Sequence, residues 1–114
     1  QDGVVIHVAE GLPTIIGNRV TLGHVCHLEG ATIHDDALIG VNSVVLHRAV
    51  VGAGAIVGAG AVVTADTIVP PQAMALGVPA KIKENAAPAG FSVPNVNTYI
   101  AHAHNYPHAM RRID

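Results

Sequence analysis

The sequence predicts an all-β fold, a parallel β-helix, because a six-residue repeat runs through residues 16–74. An aliphatic residue returns at every sixth position, with a single residue lost after the third member of the series: Ile16, Leu22, Leu28, Ile33, Ile39, Val45, Val51, Val57, Val63 and Val69. A small residue follows most of these positions four residues later, and glycine follows many of them directly. Neither a helical nor a strand periodicity explains this spacing. Six residues form one short strand and a corner, three such sides form a coil, and stacked coils form a β-helix.

The composition supports the same fold independently of the spacing. The chain has 114 residues, enough for one domain, and 50% of them are hydrophobic while only 3% are aromatic. A globular core normally uses Phe, Tyr and Trp as bulky filler. The thin triangular interior of a β-helix is filled better by the Val, Ile and Ala that this chain supplies.

Charge and cysteine content argue against several classes of protein. The formal net charge is −2 and the six Lys and Arg residues are scattered, so nucleic-acid binding is not expected. Cys26 is the only cysteine and occupies a small-residue position of the repeat, which predicts a core thiol and no internal disulfide. Residues 49–65 carry no charge, as in a membrane helix, but the six-residue step continues through them. No membrane span is therefore expected.

The β-helix is expected to occupy residues 1–83, with its N-terminal coils missing from this sequence. Residues 1–8 are predicted to be the end of an earlier coil, with Ile6 pointing inward, and residues 9–14 form a loop that interrupts the repeat. Such loops often carry function. Regular pairing should end at the two prolines that follow Val69, since proline cannot donate to a strand ladder.

Residues 84–114 are predicted to form a linker and a C-terminal helix or tail. The prolines and glycine within residues 86–94 indicate the linker. Asn97 is expected to cap a short helix, and four apolar side chains would share one of its faces: Val96, Tyr99, Ile100 and Ala103. A frayed tail is the alternative, because a helix this short is marginal alone.

The repeat also places some of the eight histidines relative to one another. Ile6 and Leu28 should lie on the same side of the β-helix, one coil apart, and His7 and Glu29 directly follow them. Adjacent coils lie about 4.8 Å apart. His7 and Glu29 should therefore stand one above the other on the outside, close enough to share a metal ion.

A third ligand is needed to complete such a site, and two histidines are candidates. His24 lies on the preceding side, from which it would meet His7 of a neighbouring chain if three chains pack side by side. His27 points outward from the same strand as Glu29 and is the rival. Two imidazoles and one carboxylate suit zinc or ferrous iron. The alternative for each histidine is a solvated surface position.

The other histidines are predicted to take no part in a site. His34 and His47 have no carboxylate or histidine at a repeat-matched position and are expected to be exposed without a partner. His102, His104 and His108 lie in the predicted tail, where residues two apart would not share a helix face.

Three segments resemble the γ-class carbonic anhydrases over roughly residues 1–83. They are residues 1–7 (QDGVVIH), residues 21–24 (TLGH) and residues 77–81 (GVPAK). The resemblance implies a left-handed β-helix with a C-terminal helix, assembled as a homotrimer with metal sites between subunits. The hand follows from the resemblance alone, because parallel crossovers are normally right-handed and the periodicity is silent on it.

The resemblance also implies roles for individual residues. His7 and His24 match two of the three metal ligands of the family. Glu10 matches a glutamate that shuttles protons in some members. Gln1 and Asp2 match residues that surround the metal-bound water and brace the subunit interface.

The third family ligand is a histidine at the position that Glu29 occupies here, directly before Gly30. Glu29, or His27 two residues earlier, would take its place. A carboxylate keeps a three-ligand site possible but adds negative charge. A more electron-rich metal acidifies its water less, so hydroxide would form less readily near neutral pH.

The sequence thus favours a metal-dependent carbonic anhydrase that uses zinc or ferrous iron to convert CO2 to bicarbonate, as a homotrimer alone or within a larger complex. Glu10 would pass the proton to solvent. A catalytically impaired scaffold or assembly subunit is the first alternative. A coenzyme-A-dependent acyltransferase with a loop histidine as general base is the second. The cytoplasm is the expected compartment, with the mitochondrial matrix as the alternative.

Overall fold

The computed structural model describes residues 1–113 and shows a three-sided parallel β-helix followed by one α-helix. The first sheet contains β1 (Val5–His7), β4 (His27–Glu29), β7 (Val44–Val45) and β10 (Val62–Val63). The second contains β2 (Ile15–Ile16), β5 (Thr32–Ile33), β8 (Val50–Val51) and β11 (Ile68–Val69). The third contains β3 (Thr21–Leu22), β6 (Leu38–Ile39), β9 (Ile56–Val57), β12 (Met74–Leu76) and β13 (Lys81–Lys83). All pairs are parallel except β12 with β13. The predicted β-helix with a C-terminal helix is confirmed.

The repeated aliphatic residues form the core. Eight of them are almost completely buried: Leu28, Ile33, Ile39, Val45, Val51, Val57, Val63 and Val69. Small residues fill the corners between them, and Cys26 is one of these, as predicted. Ile16 and Leu22 remain partly exposed because their strands end their sheets. Each fully buried aliphatic side chain contributes about 1.5–3 kcal/mol from the hydrophobic effect.

The corners use left-handed backbone, and each is held by the coil next to it. At one corner Asp36 has φ of 61° and Gly54 has φ of 64°. The Asp36 N–H donates to the Asn18 carbonyl at 3.0 Å, and the Gly54 N–H donates to the Asp35 carbonyl at 3.0 Å. Non-glycine residues rarely adopt this conformation. The hydrogen bond to the neighbouring coil compensates for this unfavourable backbone conformation, and equivalent bonds recur at successive corners.

The glycine that follows many of the core residues is required by the spacing between coils. A Cβ added to Gly40 would lie 2.6 Å from the Ala59 nitrogen and 2.6 Å from the Val57 carbonyl oxygen. Gly23 shows the same approach to the backbone of the following coil. These contacts involve backbone atoms, which cannot move aside as a flexible side chain would. The glycines keep the coils at strand-to-strand distance.

After β13 the chain crosses the outer surface of the third sheet. The Ala87 N–H donates to the Gln72 carbonyl at 2.9 Å, and the Ser92 hydroxyl donates to the Asp36 carbonyl at 2.8 Å. Ile56 in β9 is outward-facing yet only 6% exposed. On the first and second sheets, by contrast, outward apolar side chains such as Ile68 are exposed, at 67%.

The C-terminal helix α1 spans Val93–Ala109 and begins earlier than predicted. Ser92 is its N-cap residue, so the predicted cap at Asn97 is wrong, and the predicted linker includes the first two helical residues. Pro94 lies in the first turn, where its missing N–H costs nothing. The predicted apolar face does form one surface. Together with residues 1 and 19–22 it lines a cavity of about 360 Å³, and its members there are Val96, Tyr99, Ile100 and Ala103.

Two arginine–aspartate pairs link corners of adjacent coils. Arg19 donates to both carboxylate oxygens of Asp36, at 2.8 and 2.9 Å, and Arg48 donates to both of Asp66, at 2.6 and 3.0 Å. The hydrogen bonds from each guanidinium lower the pKa of Asp36 and of Asp66. Burial partly opposes this, and the charge of the guanidinium adds to the lowering. Bidentate geometry makes such pairs stronger than ordinary surface ion pairs.

The glycine spacing generates a stability prediction. Gly40→Ala should lower the free energy of unfolding by at least about 2 kcal/mol, because the new Cβ would push two coils apart. Gly60→Ala is the matched control. Its φ is 66° and no atom lies within 4 Å of the added Cβ, so only backbone strain of about 1 kcal/mol is expected. Urea unfolding of both variants measures the difference, and an equal or smaller loss for Gly40→Ala would refute the steric explanation.

The corner ion pairs generate a pH prediction. The double variant Asp36→Asn, Asp66→Asn should melt below the wild type at neutral pH and together with it in acid. Because both carboxyls have a lower pKa in the folded chain, their contribution is complete above the unfolded value of about 3.9 and is lost as the pH falls through the folded value. Thermal unfolding from about pH 2 to pH 7 measures this gap. A gap that stays constant into acid would contradict the assignment.

Candidate functional site

The first sheet places His7 beside Glu29, as the repeat predicts. Strands β1 and β4 pair in parallel with Ile6 opposite Leu28 and His7 opposite Glu29. The His7 Nε2 atom lies 3.9 Å from Glu29 Oε1, and both side chains point outward. The backbone pairing of β1 with β4 fixes which residues lie opposite each other, so the proximity of His7 and Glu29 is a direct consequence of the strand register.

Two further imidazoles contact the same carboxylate. His47 Nε2 lies 2.8 Å from Glu29 Oε1, and His27 Nε2 lies 3.3 Å from Glu29 Oε2. The rings of His7 and His27 stack with centroids 6.5 Å apart. We refer to His7, His27, Glu29 and His47 as the Glu29 cluster. Its carboxylate is only 23% exposed, so it is partly shielded from water.

The prediction that His47 is an exposed residue without a carboxylate partner is wrong. Because one residue is missing from the repeat, Val45 follows its ladder partner Leu28 by 17 positions, which places His47 beside Gly30 instead of Glu29. A Cβ added to Gly30 would lie 3.4 Å from the His47 ring. The ring therefore passes over the side-chain-free glycine to reach Glu29. The missing residue together with Gly30 is the sequence signal that could have revealed the contact.

The histidines set the charge state of Glu29. Partial burial, the largest single influence, raises the pKa of this carboxyl, but the His27 hydrogen bond and the charges of His47, His7 and His27 together lower it. The net effect is a pKa below the ordinary glutamate value. Glu29 thus presents anionic oxygens next to imidazole nitrogens, atom types that suit a divalent metal.

His24 belongs to a different group of side chains in the same chain. It lies just after β3, and its Nδ1 atom is 4.0 Å from Asp2 Oδ2. The Asp2 carbonyl accepts the N–H of Val25 at 3.0 Å, and the Gln1 nitrogen donates to the Leu22 carbonyl at 3.0 Å. Residues 1 and 2 are therefore anchored next to His24.

The single chain does not assemble a complete three-ligand site. Within residues 1–113, no group of three or more His, Cys, Asp and Glu side chains is arranged to hold a metal ion. The Glu29 cluster and the His24–Asp2 group each offer part of the predicted ligand set. A site built from both would need a second chain.

The loop that carries Glu10 is tied to the Glu29 cluster. The hydroxyl of Thr14 donates to the His7 carbonyl at 2.7 Å and accepts the Gly30 N–H at 2.8 Å. Glu10 itself is exposed in the turn between β1 and β2. The loop thereby holds a solvent-facing carboxylate three residues from His7.

Two other features lie apart from this site. Cys26 is buried in the core, and burial raises the pKa of its thiol, so it is not a reactive group. Across residues 1–113, the only helix is too short and too polar to cross a lipid bilayer.

The three-sided coil and its repeat define a hexapeptide-repeat protein. Residues 30–65 match the family model described as bacterial transferase hexapeptide (six repeats). In structure, the chain is similar to a proposed acetyltransferase from Bacillus cereus, with a TM-score of 0.90 and 32% identity, over 96% of this chain and 65% of the other. The chain belongs to the hexapeptide-repeat family.

Within that family the chain is related to the carbonic anhydrases. It is 51% identical over 82 residues to a carbonic anhydrase from Geobacillus kaustophilus, covering 72% of this chain and 45% of the relative. It is 46% identical over 82 residues to a probable carbonic anhydrase from Methanocaldococcus jannaschii, covering 72% and 52%. The resemblance predicted from the sequence motifs is confirmed. The chain spans about half the length of these curated relatives.

Proposed function

We propose that the protein is a metal-dependent carbonic anhydrase that hydrates CO2 to bicarbonate between the subunits of a homotrimer. The observation that carries the proposal is the pairing of His7 with Glu29 on adjacent strands, at the positions that match family ligands. The similarity to carbonic anhydrases over 72% of the chain supports the same reaction.

The donor set fits zinc or ferrous iron. His7 and Glu29 of one chain, with His24 of a neighbouring chain, would supply two imidazoles and one carboxylate, and His27 is the alternative to Glu29. A metal ion held there supplies the Lewis acidity that activates water for attack on CO2. The lowered pKa of Glu29 keeps this group anionic and available as a ligand.

The remaining roles fall to residues around the ligands. Glu10 faces solvent from a loop anchored to His7, which suits a group that accepts a proton and releases it to bulk water. Gln1 and Asp2 lie next to His24 and would order water and brace the subunit contact.

Metal content and activity test the proposal directly. Protein purified anaerobically without added metal should contain close to one zinc or iron per chain and should hydrate CO2 in a stopped-flow assay. His7→Ala and His24→Ala should each lose most of the metal, because two ligands hold an ion far less tightly than three, while His34→Ala serves as the matched control. A wild-type protein that stays metal-free after zinc and ferrous iron are offered would refute the anhydrase assignment.

A complementation experiment tests where the site lies. When the His7→Ala and His24→Ala chains are unfolded, mixed in equal amounts and refolded, a site between subunits should recover about a quarter of the wild-type metal content, because one interface in four then joins two intact ligands. Each variant refolded alone is the control. No recovery in mixtures whose trimers are shown to be mixed would place all ligands within one chain.

A second candidate function is acyl transfer with coenzyme A. The structural similarity to a proposed acetyltransferase and the match to a transferase repeat model favour it. Acetyl transfer to an amine or hydroxyl acceptor that survives a chelator, with no CO2 hydration, would establish it. Absence of both activities in a metal-binding protein would leave a trimeric scaffold, for which the carboxylate at position 29 is the supporting observation.

A further inference from the structure

We propose that His47 is a positioning residue that fixes the orientation of the Glu29 carboxylate in the metal centre. This inference rests on the proposed function. The family resemblance assigns no role to His47, and the six-residue repeat predicts no carboxylate or histidine partner for it. The structure nevertheless gives it the shortest contact in the Glu29 cluster, 2.8 Å from Nε2 to Oε1.

The two carboxylate oxygens of Glu29 are held unequally. Oε1 lies 2.8 Å from His47 Nε2, a close ion-pair contact, while Oε2 forms a hydrogen bond of 3.3 Å with His27 Nε2. The charge of an ionised carboxylate strengthens its contacts with imidazole nitrogens. His47 therefore restrains the carboxylate on the Oε1 side, and His27 restrains it on the Oε2 side.

His47 is itself fixed by its surroundings. Its neighbours in sequence are bonded on both sides, since the Leu46 N–H donates to the Val63 carbonyl at 3.0 Å and the Arg48 N–H donates to the Gly30 carbonyl at 2.7 Å. Its ring lies over Gly30 and is only 34% exposed. A restrained contact partner restricts a flexible glutamate more effectively than a mobile one.

The contact between His47 and Glu29 is of the kind made by residues that orient a metal ligand without binding the metal themselves. Carboxylates that bind metals are commonly hydrogen-bonded by a neighbouring group that orients them, and loss of that group typically weakens metal affinity by about 10–100-fold. His47 contacts the proposed ligand directly, with its Nε2 atom 2.8 Å from Glu29 Oε1. It is thus placed to act through Glu29.

Metal affinity of the assembled protein tests the inference. Zinc affinity, measured by competition with a chromophoric chelator, should fall about 10–100-fold in His47→Ala. His47→Gln should recover much of the loss, because its amide can donate from a similar position. His34→Ala is the matched control. His34 is exposed and follows β5 of the second sheet, whereas Glu29 lies on the first sheet, so this substitution should leave the zinc affinity unchanged. Circular dichroism and melting temperature establish that each variant is folded.

Two results separate positioning from a general structural effect. In a Glu29→Gln background, His47→Ala should cause little further loss of zinc affinity, because its action runs through the carboxylate; an undiminished loss there would overturn the inference. A second readout needs no metal. Three-bond NMR couplings should show one χ1 rotamer for Glu29 in the wild type and in His47→Gln, and averaged rotamers in His47→Ala.

The NMR result distinguishes failure of this inference from failure of the proposed function. If the wild type binds no metal but Glu29 loses its single rotamer in His47→Ala, the anhydrase assignment fails and positioning by His47 stands. If metal binds but Glu29 already averages over rotamers in the wild type, the inference is overturned while the metal centre stands.

Discussion

The close approach of successive coils is the constraint on which the rest of the structure depends. At strand-to-strand distance there is no room for a side chain directly after the inward aliphatic residue at Gly23 or Gly40. Left-handed corner residues such as Asp36 and Gly54 donate their N–H groups to carbonyls of the preceding coil. Each coil therefore fixes the register of the following one. The same ladder that closes the core also decides which outward side chains meet, and it brings His7 to Glu29.

A single missing residue gives the candidate site its particular character. The short coil between Leu28 and Val45 moves His47 out of line with Glu29 and sets it beside Gly30. Because Gly30 has no side chain, the His47 ring can lie over it and reach the Glu29 carboxylate. His47 thus contacts Glu29 from an adjacent register position, and three imidazoles surround this carboxylate.

The repeat predicts backbone register well, and with it the core, the corner positions and the His7–Glu29 pair. It fails where a side chain contacts a residue that is not its register partner, as His47 does with Glu29. The direction of a long side chain depends on the space left by its neighbours. The predicted helix start is also wrong. The predicted linker includes Pro94, although proline is equally favourable in a first helical turn, and Ser92 rather than Asn97 precedes that turn.

The C-terminal segment that crosses the third sheet has a geometric consequence for assembly. The outward side chain of Ile56 on that sheet is buried, whereas Val5 and Ile68 stand exposed on the first and second sheets. These two faces are not equivalent, so a contact between them would be heterologous, and each chain would present one face to the chain before it and the other to the chain after it. Such contacts end only when the ring closes. A tail that covers the third sheet would therefore limit such an assembly to a single ring.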